Sequence, residues 1–181
     1  QTGIPAYNVS NACATGATAL RTAIMAVKAG EVERGLAVGA AKLAGALLLS
    51  LEGSICLYQG EELGQTETEL ELFELTDPQG IRFWPSPIGR DGCRTPMVWD
   101  GRNASSGFST GKPWLPVKEP QARRHAAGQA GDAESVLEFY RKMLHLRRDT
   151  EELRTGRTRF FDVAAPVLAC TRGGTVLCVF N

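Results

Sequence analysis

The sequence predicts an α/β chain assembled from two unlike pieces. Three observations lead there. Residues 1–42 pattern as strand, helix, strand, with Gly30 as a stop signal after the helix. A second helix-then-strand pattern begins at about residue 43 and runs into a long irregular stretch. Residues 151–181 carry short apolar runs broken by Arg172-Gly173-Gly174, a hairpin signature.

Within the first piece, Ala6 to Val9 reads as extended. The Ala-rich stretch through Lys28 reads as a helix with Leu20, Ile24 and Val27 on one face. Arg34–Ala40 then reads as a strand. A second helix is expected over Ala41–Leu51, with Leu43, Leu47 and Leu51 spaced four apart, and Gly53 ends it. Ser54–Tyr58 reads as a buried strand. Residues 59–131 have loop character and hold all three tryptophans and most of the nine prolines. So long a stretch without regular structure is usually functional. Asp132 is a candidate cap for a helix to Arg148, with Val136, Tyr140, Met143 and Leu144 as its apolar stripe. Arg147 and Arg148 suit the negative end of its dipole. Arg159–Val163, Val167–Thr171 and Thr175–Phe180 close the chain as strands, the last with an unpaired edge.

Composition narrows the function classes. The chain has 181 residues, of which 43% are hydrophobic and 22% charged, enough for one domain with a core. Twenty basic residues balance twenty acidic ones. No electrostatic case exists for nucleic acid or an anionic membrane as partner. The most apolar window, Gly35 to Leu51, is centred on Lys42 and falls short of the roughly 20 residues a span needs. The first residue is Gln and no signal-peptide pattern follows, so a fragment or a missing start is expected. Five scattered cysteines, Cys13, Cys56, Cys93, Cys170 and Cys178, form no Cys-x-x-Cys pair. Neither a disulfide framework nor a metal site is expected, and a reducing, cytoplasmic setting fits best.

Cys13 follows an extended segment and opens a helix. Exposed N–H groups and the positive end of the dipole favour thiolate there. Ala14 and Gly16 leave room for an acyl group. Asn8-Val9-Ser10-Asn11-Ala12-Cys13-Ala14-Thr15-Gly16, flanked by Ile4–Val9 and Gly35–Lys42, resembles the nucleophile region of thiolases of the acetyl-CoA acetyltransferase and sterol-carrier type. That resemblance implies acyl transfer from acyl-CoA with Cys13 as nucleophile. Such chemistry also needs a base and an α-proton acceptor. His125 and His145 stand in the wrong contexts, and Cys170-Thr171-Arg172-Gly173-Gly174 reads better as a hairpin than as a second catalytic cysteine.

From residue 43 onward a different family takes over. The segments Gly53–Gly64, Gly89–Trp99 and Gly107–Leu115 occur in order and resemble the α-glucosidase and oligo-1,6-glucosidase branch of the α-amylase superfamily, family-13 glycoside hydrolases. The resemblance implies the last strand and helix of a TIM-type (β/α)8 barrel over 43–150, and the start of a C-terminal β-sandwich over 151–181. It implies an α-glucoside oligosaccharide as substrate, no cofactor, and substrate-pocket roles for Arg90, Asp91 and Arg94. An alternative for Asp91 and Arg94 is a structural ion pair within the loop. Trp84, Trp99 and Trp114 suit stacking on sugar rings. Retaining glycosidases need two carboxylates about 5–5.5 Å apart. In the family these, and a third Asp in Asn-His-Asp, lie upstream of this match. The motif is absent here. Glu61, Glu62 and Asp91 do not match catalytic positions, so no catalytic carboxylate is assigned. The expectation is a thiolase-like 1–42 joined to a glucosidase-like 43–181, unable to catalyse either reaction alone.

Overall fold

A computed structural model of the chain describes residues 34–180 except 87, 103, 104, 165 and 166, with side chains described from Ala41. Helix α1 runs over Arg34–Ser50. The loop region follows, with 3-10 turns at Glu61–Leu63, Leu72–Glu74, Asp91–Cys93 and Gln121–Arg124. It also carries the short helices α2, Pro78–Arg82, and α3, Ala126–Gln129. Helix α4 spans Val136–Asp149 and α5 spans Glu151–Thr155. The strands β1, Thr158–Phe160, β2, Leu168–Arg172, and β3, Val176–Phe180, form one antiparallel sheet in the order β1-β2-β3.

The expected strand over Arg34–Ala40 is helix instead, continuous with the predicted helix and passing through Lys42 without a break. The run Gly35-Leu36-Ala37-Val38-Gly39-Ala40-Ala41 is Ala-rich enough to propagate a helix, and among the described residues no strand pairs with it to hold it extended. The buried stripe of α1 is also not the leucine stripe. Ala41, Gly45 and Leu49 are buried, whereas Leu43 is exposed. The reason is close approach to α4. A Cβ at Gly45 would stand 2.6 Å from Tyr140 Cζ, so the small residues face the partner and the larger ones turn away.

Residues 54–58 form no ladder among the described residues. Their alternation survives: Ile55 and Leu57 pack on the cluster of Ala41, Leu49, Val136 and Tyr140, while Cys56 is exposed. A strand needs a neighbour to pair with, and this segment has none there. The α/β class with a final βα unit is thus met in its helix and not in its strand.

Ser135, not Asp132, caps α4; its Oγ accepts from Glu138 N at 3.1 Å. Asp132 Oδ1 accepts from Glu134 N at 3.0 Å, in the turn just before. Of the predicted stripe, Val136 and Tyr140 are buried and Met143 packs beside them, but Leu144 is exposed. The predicted Arg159–Val163 strand shortens to Thr158–Phe160. The other two fall within a residue of expectation, and Gly173 and Gly174 take the positive φ values of the turn, 60° and 82°.

Two arginines join the layers. Arg147 on α4 donates from Nη1 to the carbonyls of Leu49 (2.7 Å) and Leu51 (2.9 Å), and from Nη2 to Gly53 (2.7 Å). Arg172 on β2 is fully buried and donates to the carbonyls of Ser50, Leu153 and Gly156. The C-terminal carbonyls of α1, which lack partners inside the helix, are met by cations at the negative end of its dipole.

Candidate functional site

The loop region is irregular but ordered by its own hydrogen bonds. Gly60 and Gly64 bracket the Glu61–Leu63 turn with φ of 89° and 65°. Glu61 ties the turn at both ends: Oε2 accepts from Tyr58 N at 3.0 Å and Oε1 from the Tyr140 hydroxyl at 3.1 Å. Burial, then the Glu61 charge, pushes the Tyr140 hydroxyl well above its ordinary pKa, so it is a fixed donor. Glu62 Oε2 accepts from Gly60 N at 2.9 Å. Both carboxylates thus accept hydrogen bonds that hold the turn. Beneath them Leu63 packs with Met97 and Val98.

The segment predicted to shape the pocket is held by a second knot. Asp91 is 1% exposed. Its carboxylate accepts from Thr76 N at 2.6 Å, Asp77 N at 2.7 Å and Thr76 Oγ1 at 3.1 Å. Asp77 is also buried; it caps α2 through Gln79 N and accepts from Arg90 N at 2.9 Å and Arg90 Nε at 3.3 Å. The Arg90 guanidinium beside it holds the Asp77 carboxyl below its usual range against the opposing cost of burial. Arg90 keeps half of its side chain in solvent and Arg94 is exposed. Asp91 therefore pairs with Thr76 and Asp77 rather than with Arg94, so the proposed ion pair within the loop is not formed. Both arginines flank Gly92–Cys93, and Gly92 admits no side chain: a Cβ would meet Thr68 O at 2.7 Å.

A cleft opens between the two knots. Tyr58, Gln65, Thr66, Glu67, Cys93 and Thr95 supply its polar and thiol lining, with Pro96 and Met97 at its base. The Tyr58 hydroxyl lies 3.5 Å from Cys93 Sγ, and that thiol donates to Arg90 O at 3.0 Å. Gln121 Nε2 fastens Thr66 through its carbonyl at 2.7 Å, and Arg124 donates to Gly64 O at 2.7 Å. Burial pulls the Arg124 guanidinium below its ordinary pKa. His125 is half-buried, and its Nδ1 accepts from Gly128 N at 2.9 Å to cap α3. His145 is exposed on α4.

Of the turn that holds Arg90, Asp91 and Arg94, it is Gly92 and Cys93 that line the cleft; Asp91 is buried behind them, and Arg90 and Arg94 reach solvent. Trp84, Trp99 and Trp114 are all substantially exposed. Sequence reasoning had not singled out Tyr58, Gln65, Thr66, Glu67 or Cys93, although Tyr58 and Cys93 fall inside the motifs that carried the family resemblance. Gln65, Thr66 and Glu67 follow the first motif directly, and no spacing rule marks them. Among the described residues no group of three His, Cys, Asp or Glu is placed to hold a metal. No described helix is long and apolar enough to cross a membrane. Cys13 lies outside the described residues, as do the strand and helix expected before residue 29.

Known proteins match the part just described. The model of the alpha amylase catalytic domain matches residues 26–156. A probable alpha-glucosidase of Rhizobium meliloti is 45% identical over 144 residues, covering 78% of this chain and 26% of the relative. The oligo-1,6-glucosidase of Heyndrickxia coagulans is 30% identical over 135 residues, covering 65% and 24%. Among solved structures, the alpha-glucosyl transfer enzyme XgtA superposes with a TM-score of 0.69 at 50% identity, over 73% of this chain and 24% of the other. The trehalulose synthase MutB of Pseudomonas mesoacidophila gives 0.63 at 33% identity, over 73% and 27%. The chain spans about a quarter of the length of these relatives. The family match starts at residue 26, inside the stretch read as thiolase-like, and does not reach residues 1–25. With nearly three quarters of its length matched, and the matched loops held by the knots around Glu61 and Asp91, this chain belongs to the alpha-amylase catalytic-domain family.

Proposed function

We propose that the chain forms one wall of the sugar pocket of an enzyme acting on terminal α-glucosidic bonds of oligosaccharides, and that it does not hydrolyse them alone. The observation that carries this is the Asp91 knot. A fully buried carboxylate with three protein donors fixes the turn that carries Arg90 and Arg94 and that lends Gly92 and Cys93 to the cleft wall. Arg90 and Arg94 are the sugar-contacting residues in this reading, and Asp91 acts through them as a positioning residue. Fixed donors of this kind read hydroxyl groups with little ordering cost. A relative 45% identical named as a probable alpha-glucosidase supports the substrate class. Glu61, which lines the cleft, is held by Tyr58 and Tyr140, and Asp91 is held by Thr76 and Asp77; both bind the fold together, which supports incompetence of the isolated chain.

The division of the chain is part of the proposal. The unbroken helix α1 and a match beginning at residue 26 support a boundary ahead of α1, N-terminal to the one read at residue 42. The end of a barrel then runs to about residue 150, and the three-stranded sheet supports the start of a β-sandwich. For residues 1–25 the thiolase-like reading stands on the Cys13 motif, and unusually fast labelling of Cys13 by iodoacetamide at neutral pH tests it. A cytoplasmic location is supported by the free thiols Cys56, Cys93, Cys170 and Cys178.

The experiment is a titration of the purified 181-residue chain with isomaltose, maltose and sucrose, followed by calorimetry or saturation-transfer NMR. Weak binding that is lost in Arg94→Ala is expected, with no nitrophenol released from nitrophenyl α-glucoside. Hydrolysis by the chain alone overturns its incompetence, and binding unchanged in both Arg90→Ala and Arg94→Ala overturns the pocket assignment.

A further inference from the structure

The sheet carries a pair of cysteines that the sugar site does not use. Cys170 is the central residue of β2 and Cys178 the central residue of β3, and the ladder sets them directly opposite one another. Directly opposed residues of an antiparallel pair have Cα atoms about 4.5–5.5 Å apart. A disulfide requires about 4.4–6.8 Å. Direct opposition in the register puts the two side chains on the same face of the sheet. They differ in access: Cys170 is 0% exposed, at the centre of three strands, whereas Cys178 lies on the edge strand and is partly exposed. Burial, with the neighbouring Cys178 second, pushes the Cys170 thiol up; Arg172 opposes this weakly.

We propose that Cys170 and Cys178 are an oxidisable dithiol, a modification site whose reactant is a low-molecular-weight disulfide such as oxidised glutathione. The order of events follows from access. The Cys178 thiolate attacks one sulfur of the small disulfide, whose S–S bond breaks and releases one small thiolate. The mixed disulfide on Cys178 is then attacked by the Cys170 thiolate. The Sγ170–Sγ178 bond forms, the second small thiolate leaves, and the protons of the two cysteines pass to the two released thiolates. Two protein thiols are oxidised and one small disulfide is reduced to two thiols. Burial of Cys170 delays its ionisation but places it against its target, so a mixed disulfide on Cys178 does not persist. Opposed Cβ atoms in a ladder stand about 4.5–5.5 Å apart, wider than the ~3.8 Å of a relaxed disulfide, so closure draws the strands together and the bond is open to reduction. The bridge pins the β2–β3 hairpin two residues from Arg172, the residue that fastens β2 to the end of α1.

The test is incubation of the full chain with oxidised glutathione under native conditions and, in parallel, in denaturant, followed by thiol titration and peptide mapping. The native chain is expected to yield one cross-linked peptide joining Cys170 to Cys178, with no glutathione retained on either residue. In Cys170→Ser, Cys178 is expected to retain a glutathione adduct. In Cys178→Ser, Cys170 is expected to stay unmodified. Dithiothreitol restores all five thiols. A persistent adduct on Cys178 of the unaltered chain overturns the proposal. So does a link through Cys56 or Cys93, an unreacted pair, or equal rates of linking in native buffer and in denaturant.

Discussion

The loop region and the helix–sheet framework are held by opposite means. In the framework, α1 and α4 meet through small and apolar residues, Ala41, Gly45 and Leu49 against Val136 and Tyr140, and two arginines close the helix end. In the loop region, apolar burial is modest and carboxylates organise the backbone: Asp91 on Thr76 and Asp77, Asp77 on Arg90, Glu61 on Tyr58. The difference teaches how to read polar residues in a family motif. Those with the strongest internal partners, Asp91 and Asp77, build the turn, while Arg90, its Nε on Asp77, and Arg94 extend into solvent. The two regions are coupled by the bond from the Tyr140 hydroxyl on α4 to Glu61 in the loop, and by those from Leu137 N to Gln129 Oε1 and from Gly131 N to Glu138 Oε1.

The largest break is expected at Arg172. Replacing it with Met strips the Ser50, Leu153 and Gly156 carbonyls of a buried cationic donor, and urea denaturation should show a loss of at least about 3 kcal/mol. Asp91→Ala attacks the other region. Two backbone N–H groups lose their acceptor, a cost of about 2–3 kcal/mol, and sugar binding should fall with it. If Asp91→Ala leaves the loop intact by hydrogen exchange, the contrast between the regions fails. Gly45→Ala sharpens the framework side: overpacking against Tyr140 outweighs the gain in helix propensity, for a net loss of about 1–2 kcal/mol by denaturation. Tyr140→Phe removes the bond to Glu61 at about 1 kcal/mol, and exchange of the Glu61–Leu63 amides should quicken more than that of α4.

The smallest effect is one of pH. The folded Asp77 carboxyl lies below its ordinary value, so its contribution to stability is present above the unfolded pKa, near 3.9. It is lost as pH falls through the lower folded value. The denaturation midpoint of the unaltered chain should decline over that acid range, and Asp77→Asn should flatten the decline.

Local signals were legible where they are self-sufficient. The Arg172–Gly174 turn, the helix through Tyr140 and the cationic last turn at Arg147 needed no distant partner to be read. The family motifs marked Arg90, Asp91 and Arg94 as one group, and the structure sets Gly92 and Cys93 of the same turn in the cleft wall. It separates the roles of the marked three because Asp91 is aimed inward at Thr76, a residue with no sequence signal of its own. Tyr58, Gln65 and Thr66 escaped notice for the same reason: a cleft is made by segments meeting, and Gln121 and Arg124 come from far along the chain to hold it.

By itself the sequence determined the element types with strong periodicity and the family of the glucosidase-like part. Tertiary structure alone decided which face of α1 is buried. Leucines at one spacing and small residues at another were equally periodic, and the bulk of Tyr140 selected the small face. It also decided that residues 34–40 join α1 and that 54–58 remain unladdered, since a strand is made by its neighbour and a helix by its own hydrogen bonds. The same dependence on pairing brings Cys170 opposite Cys178, a relation set by register that composition could not reveal.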